Sequence, residues 1–337
     1  MLRALSLVGT LLLATFTLTE SALAESRVER VVVHARSLEG NLIGDSAERE
    51  VFIYLPPSYD TSDKRYPVVF LLHGYGLRAE RWMGFAEVQA GADAAFASGA
   101  QELIIVSPDA YTFFDGSLYT SSLTNGDWEN YIADELVTYV DTHYRTLAAR
   151  ESRGLAGHSM GGYGTLRLGM KYPQVFSVLY PMSACCLFES GETNETLALA
   201  ATYTSKEQVA ALRFPGKGTL ARAAAWSPNP AKAPLFLDLP FDGNTSNPEV
   251  EAKWHANSIG AMLDQYTDNL RRYTAIRFDV GDEDSLVTSN RTLHEKLETA
   301  GVAHHFEIYQ GDHNNRVAQR IREHVLPFFS RHLHGQH

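Results

Sequence analysis

The sequence predicts an α/β fold: a mostly parallel sheet with helices on both faces. Three observations lead there. Apolar, β-branched runs alternate with helical stretches; several of these runs have no polar face; and glycine-rich turns stand where they end. A run with no polar face suits a strand covered on both sides, and repeated strand and helix units imply parallel pairing.

The elements follow in order. Val28 to Ala35 and Arg49 to Leu55 read as strands, and Pro56-Pro57-Ser58-Tyr59-Asp60 ends the second. Pro67 to Leu72 is a continuous apolar run that stops at His73-Gly74. A helical stretch from Ala79 to Ser98, a strand at Leu103 to Val106 and a helix from Trp128 to Tyr144 come next. A short strand, Arg153 to Ala156, leads into Gly157-His158-Ser159-Met160-Gly161; Met160 to Met170 then reads as a helix and Val175 to Tyr180 as a buried strand. Residues 184 to 250 break the rhythm with a polar run, Pro215-Gly216 and Trp226-Ser227-Pro228-Asn229-Pro230, as expected of a lid-like excursion or pocket wall. The alternation resumes with a strand at Ile276 to Val280, a helix at Leu286 to Thr299, a strand at His305 to Tyr309 and a last helix at Asn315 to Arg331. No internal repeat or long linker interrupts residues 25–337, which read as one domain.

Residues 1–24 read as a targeting segment. Arg3 supplies the positive start, Ala4 to Leu18 the apolar stretch, and Ala22-Leu23-Ala24 the small-residue cleavage pattern, so the mature chain is expected to begin at Glu25 as a secreted or periplasmic protein. The apolar stretch is shorter than the roughly 20 residues that span a bilayer. A net charge of -11 disfavours nucleic acid or anionic membrane as a partner. The two cysteines, Cys185 and Cys186, are adjacent. A bridge between them would have to close across Cα atoms about 3.8 Å apart and would be strained, so two partly buried thiols are expected. They cannot build a structural zinc site, and no cofactor or metal is called for.

The chemistry starts at Ser159. A serine hydroxyl attacks only when a base takes its proton and a third group orients that base. A GxSxG turn between strand and helix exposes the serine on a strained bend, with the glycines removing side chains that would clash. The acid and the histidine are then expected on loops after later strands, in the chain order Ser, Asp or Glu, His. His313, in Gln310-Gly311-Asp312-His313, is the base candidate; His304 and His305 suit structural or surface roles. In Gly281-Asp282-Glu283-Asp284 the preferred acid is Asp284, with Asp282 second and Glu283 third. Backbone N–H groups must receive the oxyanion: Met160 supplies one, and Tyr75 or, second, Gly76 the other. His73 is expected to support that loop. Trp82, Trp128 and Trp226, with Tyr75 and Tyr163, are candidates for an aromatic substrate pocket, although aromatics so placed are more often core.

Together these pieces resemble the esterase D group of α/β-hydrolases, with its S-formylglutathione hydrolases, feruloyl and acetylxylan esterases and mycolyl transferases. The likeness is carried by Leu71-Leu72-His73-Gly74, Gly126-Asp127-Trp128-Glu129, Gly157 to Gly162, Ser227-Pro228-Asn229-Pro230, Asp238-Leu239-Pro240-Phe241, Gly281 to Leu286 and Gly311-Asp312-His313, in that order. It implies an α/β-hydrolase fold, a triad of Ser159, Asp284 and His313, and oxyanion donors at Tyr75 and Met160. Two features depart from the group. No tryptophan follows Asn314-Asn315, and Cys185-Cys186 is no hallmark of it, which leaves the pocket open. With an export signal, the resemblance implies hydrolysis of short-chain, aryl or polysaccharide-linked esters. Acyl transfer of the mycolyl type and a non-catalytic binding module are the alternatives.

Overall fold

The computed structural model describes residues 25–188, 193–213, 216–242 and 245–336. The targeting segment expected at residues 1–24 and most of the polar run that begins at Glu189 lie outside the described residues.

Eight strands form one sheet: β1 (Arg27–His34), β2 (Glu48–Leu55), β3 (Val68–Leu72), β4 (Ile104–Pro108), β5 (Arg153–His158), β6 (Val178–Met182), β7 (Ala275–Gly281) and β8 (His305–Tyr309). Their order is β1-β2-β4-β3-β5-β6-β7-β8. Only β2 runs against its neighbours; every other ladder in the sheet is parallel.

The apolar runs are buried on both faces because alternate side chains serve different cores. Val68, Phe70 and Leu72 join one apolar cluster, Val69 and Leu71 the other. Helices Leu136–His143, Met160–Lys171, Ile259–Leu270 and Val287–Thr299 feed the first cluster through Val140, Leu166, Met262 and Leu293. The second is closed by Ala79–Phe85, Val88–Ala97 and the C-terminal helix, through Trp82, Ala92 and Phe329. Helices therefore cover both faces, as the strand and helix rhythm predicts.

The differences from the sequence reading have local causes. The stretch Ala79 to Ser98 is two helices, because Glu87 takes a left-handed conformation with φ 46°. Val175 does not begin a strand: its N–H closes a turn onto the Tyr172 carbonyl at 3.0 Å, and β6 starts three residues later. The last helix starts at Val317 and not Asn315, because the Asp312 carboxylate holds the N–H groups of Asn314 and Asn315 in a turn.

The excursion holds helices Asn194–Ala201, Lys206–Ala210, Gly216–Trp226 and Pro248–Asn257 and a short ladder of Phe241–Asp242 with Thr245–Ser246. Leu197, Val209, Leu220, Trp226 and Trp254 belong to the same apolar cluster as Phe70 and Leu155 of the sheet. Ser227 ties the segment internally: its hydroxyl donates to the Asp238 carbonyl at 2.6 Å and accepts from Trp254 Nε1 at 2.9 Å. Ser122 Oγ anchors it from outside by donating to the Ala224 carbonyl at 2.5 Å. Among the described residues no helix is long and apolar enough to cross a membrane.

Candidate active site

The parallel strands deliver their carboxyl ends to one edge, where open α/β sheets carry their sites. There β3 runs into His73-Gly74-Tyr75, β5 into Ser159, β7 into the loop of Asp284, and β8 into the loop of His313.

Ser159 sits on the bend between β5 and helix Met160–Lys171 with φ 58° and ψ -112°. A non-glycine residue so placed stores on the order of 1–3 kcal/mol, which its surroundings must hold. Its N–H donates to the Met182 carbonyl at 2.9 Å, and its own carbonyl accepts from Tyr163 and Cys185 N–H groups. The flanking glycines are required by contact. A Cβ on Gly157 would stand 2.5 Å from the Gly161 carbonyl carbon, and one on Gly161 would stand 2.9 Å from the His73 carbonyl oxygen.

His313 reaches both partners. Its Nε2 lies 3.0 Å from Ser159 Oγ, and its Nδ1–H donates to Asp284 Oδ2 at 2.7 Å. Asp284 is buried, and its second oxygen accepts the Leu286 N–H at 2.9 Å. Burial alone would raise this carboxyl; hydrogen bonds from His313 and Leu286 outweigh it and hold the group below the usual carboxylate range. An ionised Asp284 fixes the tautomer that leaves Nε2 free to take a proton from serine.

The other two acid candidates lie elsewhere. Asp282 accepts the Gly311 N–H at 2.9 Å, stitching the acid loop to the histidine loop, and Glu283 is exposed.

His158 has a part the sequence reading missed. Its Nε2–H donates to the backbone carbonyl of His313 at 2.8 Å, and its ring stacks on Trp82 at 6.1 Å and 13°. Burial, reinforced by the neighbouring His313, pushes its pKa down to about 3, so the ring stays neutral. It lacks any contact of its own with Ser159 Oγ of the kind His313 makes.

Of the two candidate loop donors, Gly76 is committed: its N–H bonds the Asp115 carbonyl at 3.0 Å. Tyr75 borders the cavity beside Ser159. Met160 is the first residue of its helix, where an N–H has no carbonyl one turn back to receive it. Both residues rest on Gly116, where an added Cβ would come within 2.6 Å of Met160 Sδ and 2.8 Å of the Tyr75 ring. The loop that carries Gly116 is strained at Asp115, Leu118 and Tyr119, with φ of 67°, 53° and 50°. It is tied to the β3 end: Tyr119 OH donates to the His73 carbonyl at 3.0 Å and Tyr75 OH to the Phe114 carbonyl at 2.8 Å. His73 completes the brace, accepting the Ala110 N–H at Nε2 and donating from Nδ1 to the Gly74 carbonyl. The sequence signal for this support was Asp115-Gly116, a turn pair following the strand at β4.

A cavity of about 660 Å³ opens on Ser159 and His313. Of the five aromatic candidates, Tyr75 borders it and the other four lie in the core, the more common place for such residues. Trp82, Trp128 and Trp226 are buried and none borders the cavity, nor does Tyr163. Their bulk is spent on packing: Trp82 backs His158, Trp128 lies under the Arg49 guanidinium at 5.0 Å, and Trp226 meets Trp254 edge to face. The cavity is instead bordered by Tyr75 and Tyr111, by Arg81, and by Ala210 to Arg213 with Lys217 from the excursion.

Cys185 and Cys186 are unbridged thiols with sulfurs 2.9 Å apart. The contact with Cys186 and then burial push the Cys185 thiol up, away from reactivity. Among the described residues no group of three or more His, Cys, Asp or Glu side chains is arranged to hold a metal ion.

Known proteins resemble this chain in sequence and in fold. A family model described as putative esterase matches residues 46–318. Esterase MT1326 of Mycobacterium tuberculosis (strain CDC 1551 / Oshkosh) is 25% identical over 268 residues, covering 78% of this chain and 52% of that protein. The chain thus spans about half the length of that curated relative. Among solved structures, a ferulic acid esterase superposes with a TM-score of 0.66 at 23% identity, covering 92% of this chain and 99% of the other. The S-formylglutathione hydrolase FrmB of Staphylococcus aureus gives 0.60 at 18% identity, covering 91% and 99%. At these identities the two structures speak for the fold.

Proposed function

The chain belongs to the esterase family, and from that premise we propose that it is an exported serine hydrolase cleaving carboxylic esters through an acyl-enzyme on Ser159. The observation that carries the reading is the unbroken relay from buried Asp284 through His313 to Ser159 Oγ, opening on the cavity. His313 Nε2 takes the serine proton as Oγ attacks the ester carbonyl, and Asp284 steadies the imidazolium that forms. The N–H groups of Met160 and Tyr75 receive the oxyanion. Collapse expels the alcohol with the proton from His313, leaving the acyl group on Ser159. Water, deprotonated by the same imidazole, then releases the acid.

Short-chain, aryl or polysaccharide-linked esters are the proposed substrates; the fold shared with a ferulic acid esterase supports the aryl and polysaccharide-linked end of that range. A binding module would have no use for a complete Ser, His and Asp relay. Initial rates on p-nitrophenyl esters of increasing chain length, on methyl ferulate and on a peptide amide rank the substrates. Equal rates for Ser159→Ala and the parent would sink the proposal. Export is tested apart from catalysis, by sequencing the N-terminus of the protein recovered outside the cytoplasm, with Glu25 expected first.

A further inference from the structure

We propose that the ester substrates carry a carboxylate, held by Arg81 and Arg213 in the cavity that contains Ser159. The proposal rests on the ester-hydrolase reading and adds the charge of the substrate to it.

The cavity wall is cationic in a chain whose net charge is -11. Among the described residues it holds three permanently cationic side chains, Arg81, Arg213 and Lys217, against one carboxylate, Asp115. That carboxylate is already engaged: Asp115 Oδ1 accepts from Lys217 Nζ at 2.7 Å and from Tyr111 OH at 2.5 Å. Lys217 and Asp115 therefore cancel, and both arginines are left over. Neither the Arg81 nor the Arg213 side chain makes a hydrogen bond or ion pair with any described residue.

Their positions are independent in the chain but share the cavity. Arg81 stands on helix Ala79–Phe85, directly after the Tyr75 loop. Arg213 comes from the excursion, just past helix Lys206–Ala210. A guanidinium offers a planar fork of donors that matches the two oxygens of a carboxylate, and in a cleft that bond is less screened than on an open surface. The adjoining Ala210, Ala211 and Leu212 give the remainder of the ligand an apolar wall. Such a wall suits a substrate with an apolar or aryl body and a charged end. Arg81 flanks the oxyanion loop and Arg213 the excursion, so the carboxylate could belong to the acyl or to the alcohol part.

Two matched pairs separate these sources. On the acyl side, mono-4-nitrophenyl glutarate is compared with its methyl ester; on the alcohol side, 4-acetoxybenzoate with methyl 4-acetoxybenzoate. The reading is the ratio of kcat/KM, charged over neutral, after subtraction of spontaneous hydrolysis. The parent is expected to prefer the charged member of one pair by about tenfold, with the preference shrinking as sodium chloride is raised. Arg81→Gln and Arg213→Gln should each lower the ratio about threefold, and the double variant should abolish the preference. Both side chains are exposed, so their replacement is not expected to disturb folding. A neutral preference in both pairs, or a ratio untouched by the double variant, overturns the carboxylate proposal while leaving the esterase reading standing. No hydrolysis of any of the four esters above that of Ser159→Ala overturns both.

Discussion

The carboxyl edge of the sheet and the excursion of residues 184 to 250 both border the cavity, yet they are held by different forces. At the edge, polar atoms are paired at short range: Asp284 with His313, Asp282 with Gly311, His158 with the His313 carbonyl, His73 with Ala110 and Gly74. Backbone strain is stored there as well, at Ser159, Asp115, Leu118 and Tyr119. The excursion is held chiefly by apolar burial of Leu220, Ala223, Ala224 and Trp226, packed with Trp254 just beyond it, and Ser227 is its polar knot. The difference teaches that the proposed chemistry and the proposed substrate choice rest on separate sets of contacts. The edge is set by polar pairing, whereas the excursion supplies a wall set by apolar packing.

Substitutions at the two regions should therefore diverge. The largest expected effect is at the edge: Ser159→Ala should lower kcat/KM on p-nitrophenyl acetate by on the order of 10⁵ to 10⁶, and Asp284→Asn by roughly 10⁴, with thermal unfolding little changed for the serine variant. Next, Gly116→Ala pushes on Met160 and Tyr75 together. A loss of about 10² in kcat with KM nearly constant is expected, as for removal of one oxyanion donor. A KM effect alone would place the damage in substrate binding and break the assignment of those donors.

His158→Gln joins rate and stability. It should lower kcat about tenfold by freeing the His313 loop. It should also change the acid limb of stability. In the unfolded chain His158 takes up a proton as pH falls through about 6.5, whereas in the folded protein it does so only near 3. Folding stability is thus lost between those values, by up to about 1.4 kcal/mol per pH unit from this residue. Urea unfolding at pH 6.5, 5.5 and 4.5 should show a shallower decline for the variant; parallel declines would refute the role of its burial.

The smallest catalytic effect belongs to the excursion. Ser227→Ala leaves Trp254 Nε1 and the Asp238 carbonyl without their partner and should cost about 1–3 kcal/mol of stability. Its kcat on p-nitrophenyl acetate should stay within about threefold of the parent. A large kcat loss would erase the separation between wall and edge.

Sequence reasoning reached the edge because its demands are local. Continuous apolar runs marked β3 and β6, and the elbow glycines follow from a bend that admits no Cβ. Asp284 could be preferred over its neighbours because only a residue at the helix approach reaches across to His313. The excursion was illegible for the opposite reason. Its helices are short, and whether Trp226 faces substrate or core depends on packing against Trp254 and Tyr163, far away in the chain. The same holds for Trp82, which serves His158 from behind. The turn pair Asp115-Gly116 was visible in the sequence, but its place under the proposed oxyanion loop was not, because Gly116 and Tyr119 act through contacts with Met160 and the His73 carbonyl, which no spacing in the sequence records.

The bond from His158 to the His313 carbonyl joins the residue before Ser159 to the backbone of the proposed base, 155 positions apart in the chain. The elbow and the histidine loop therefore open together or not at all. In native-state hydrogen exchange their amides should report one cooperative unit. Inactivation by denaturant should then coincide with opening of the sheet edge instead of preceding it as a private fluctuation of the loop.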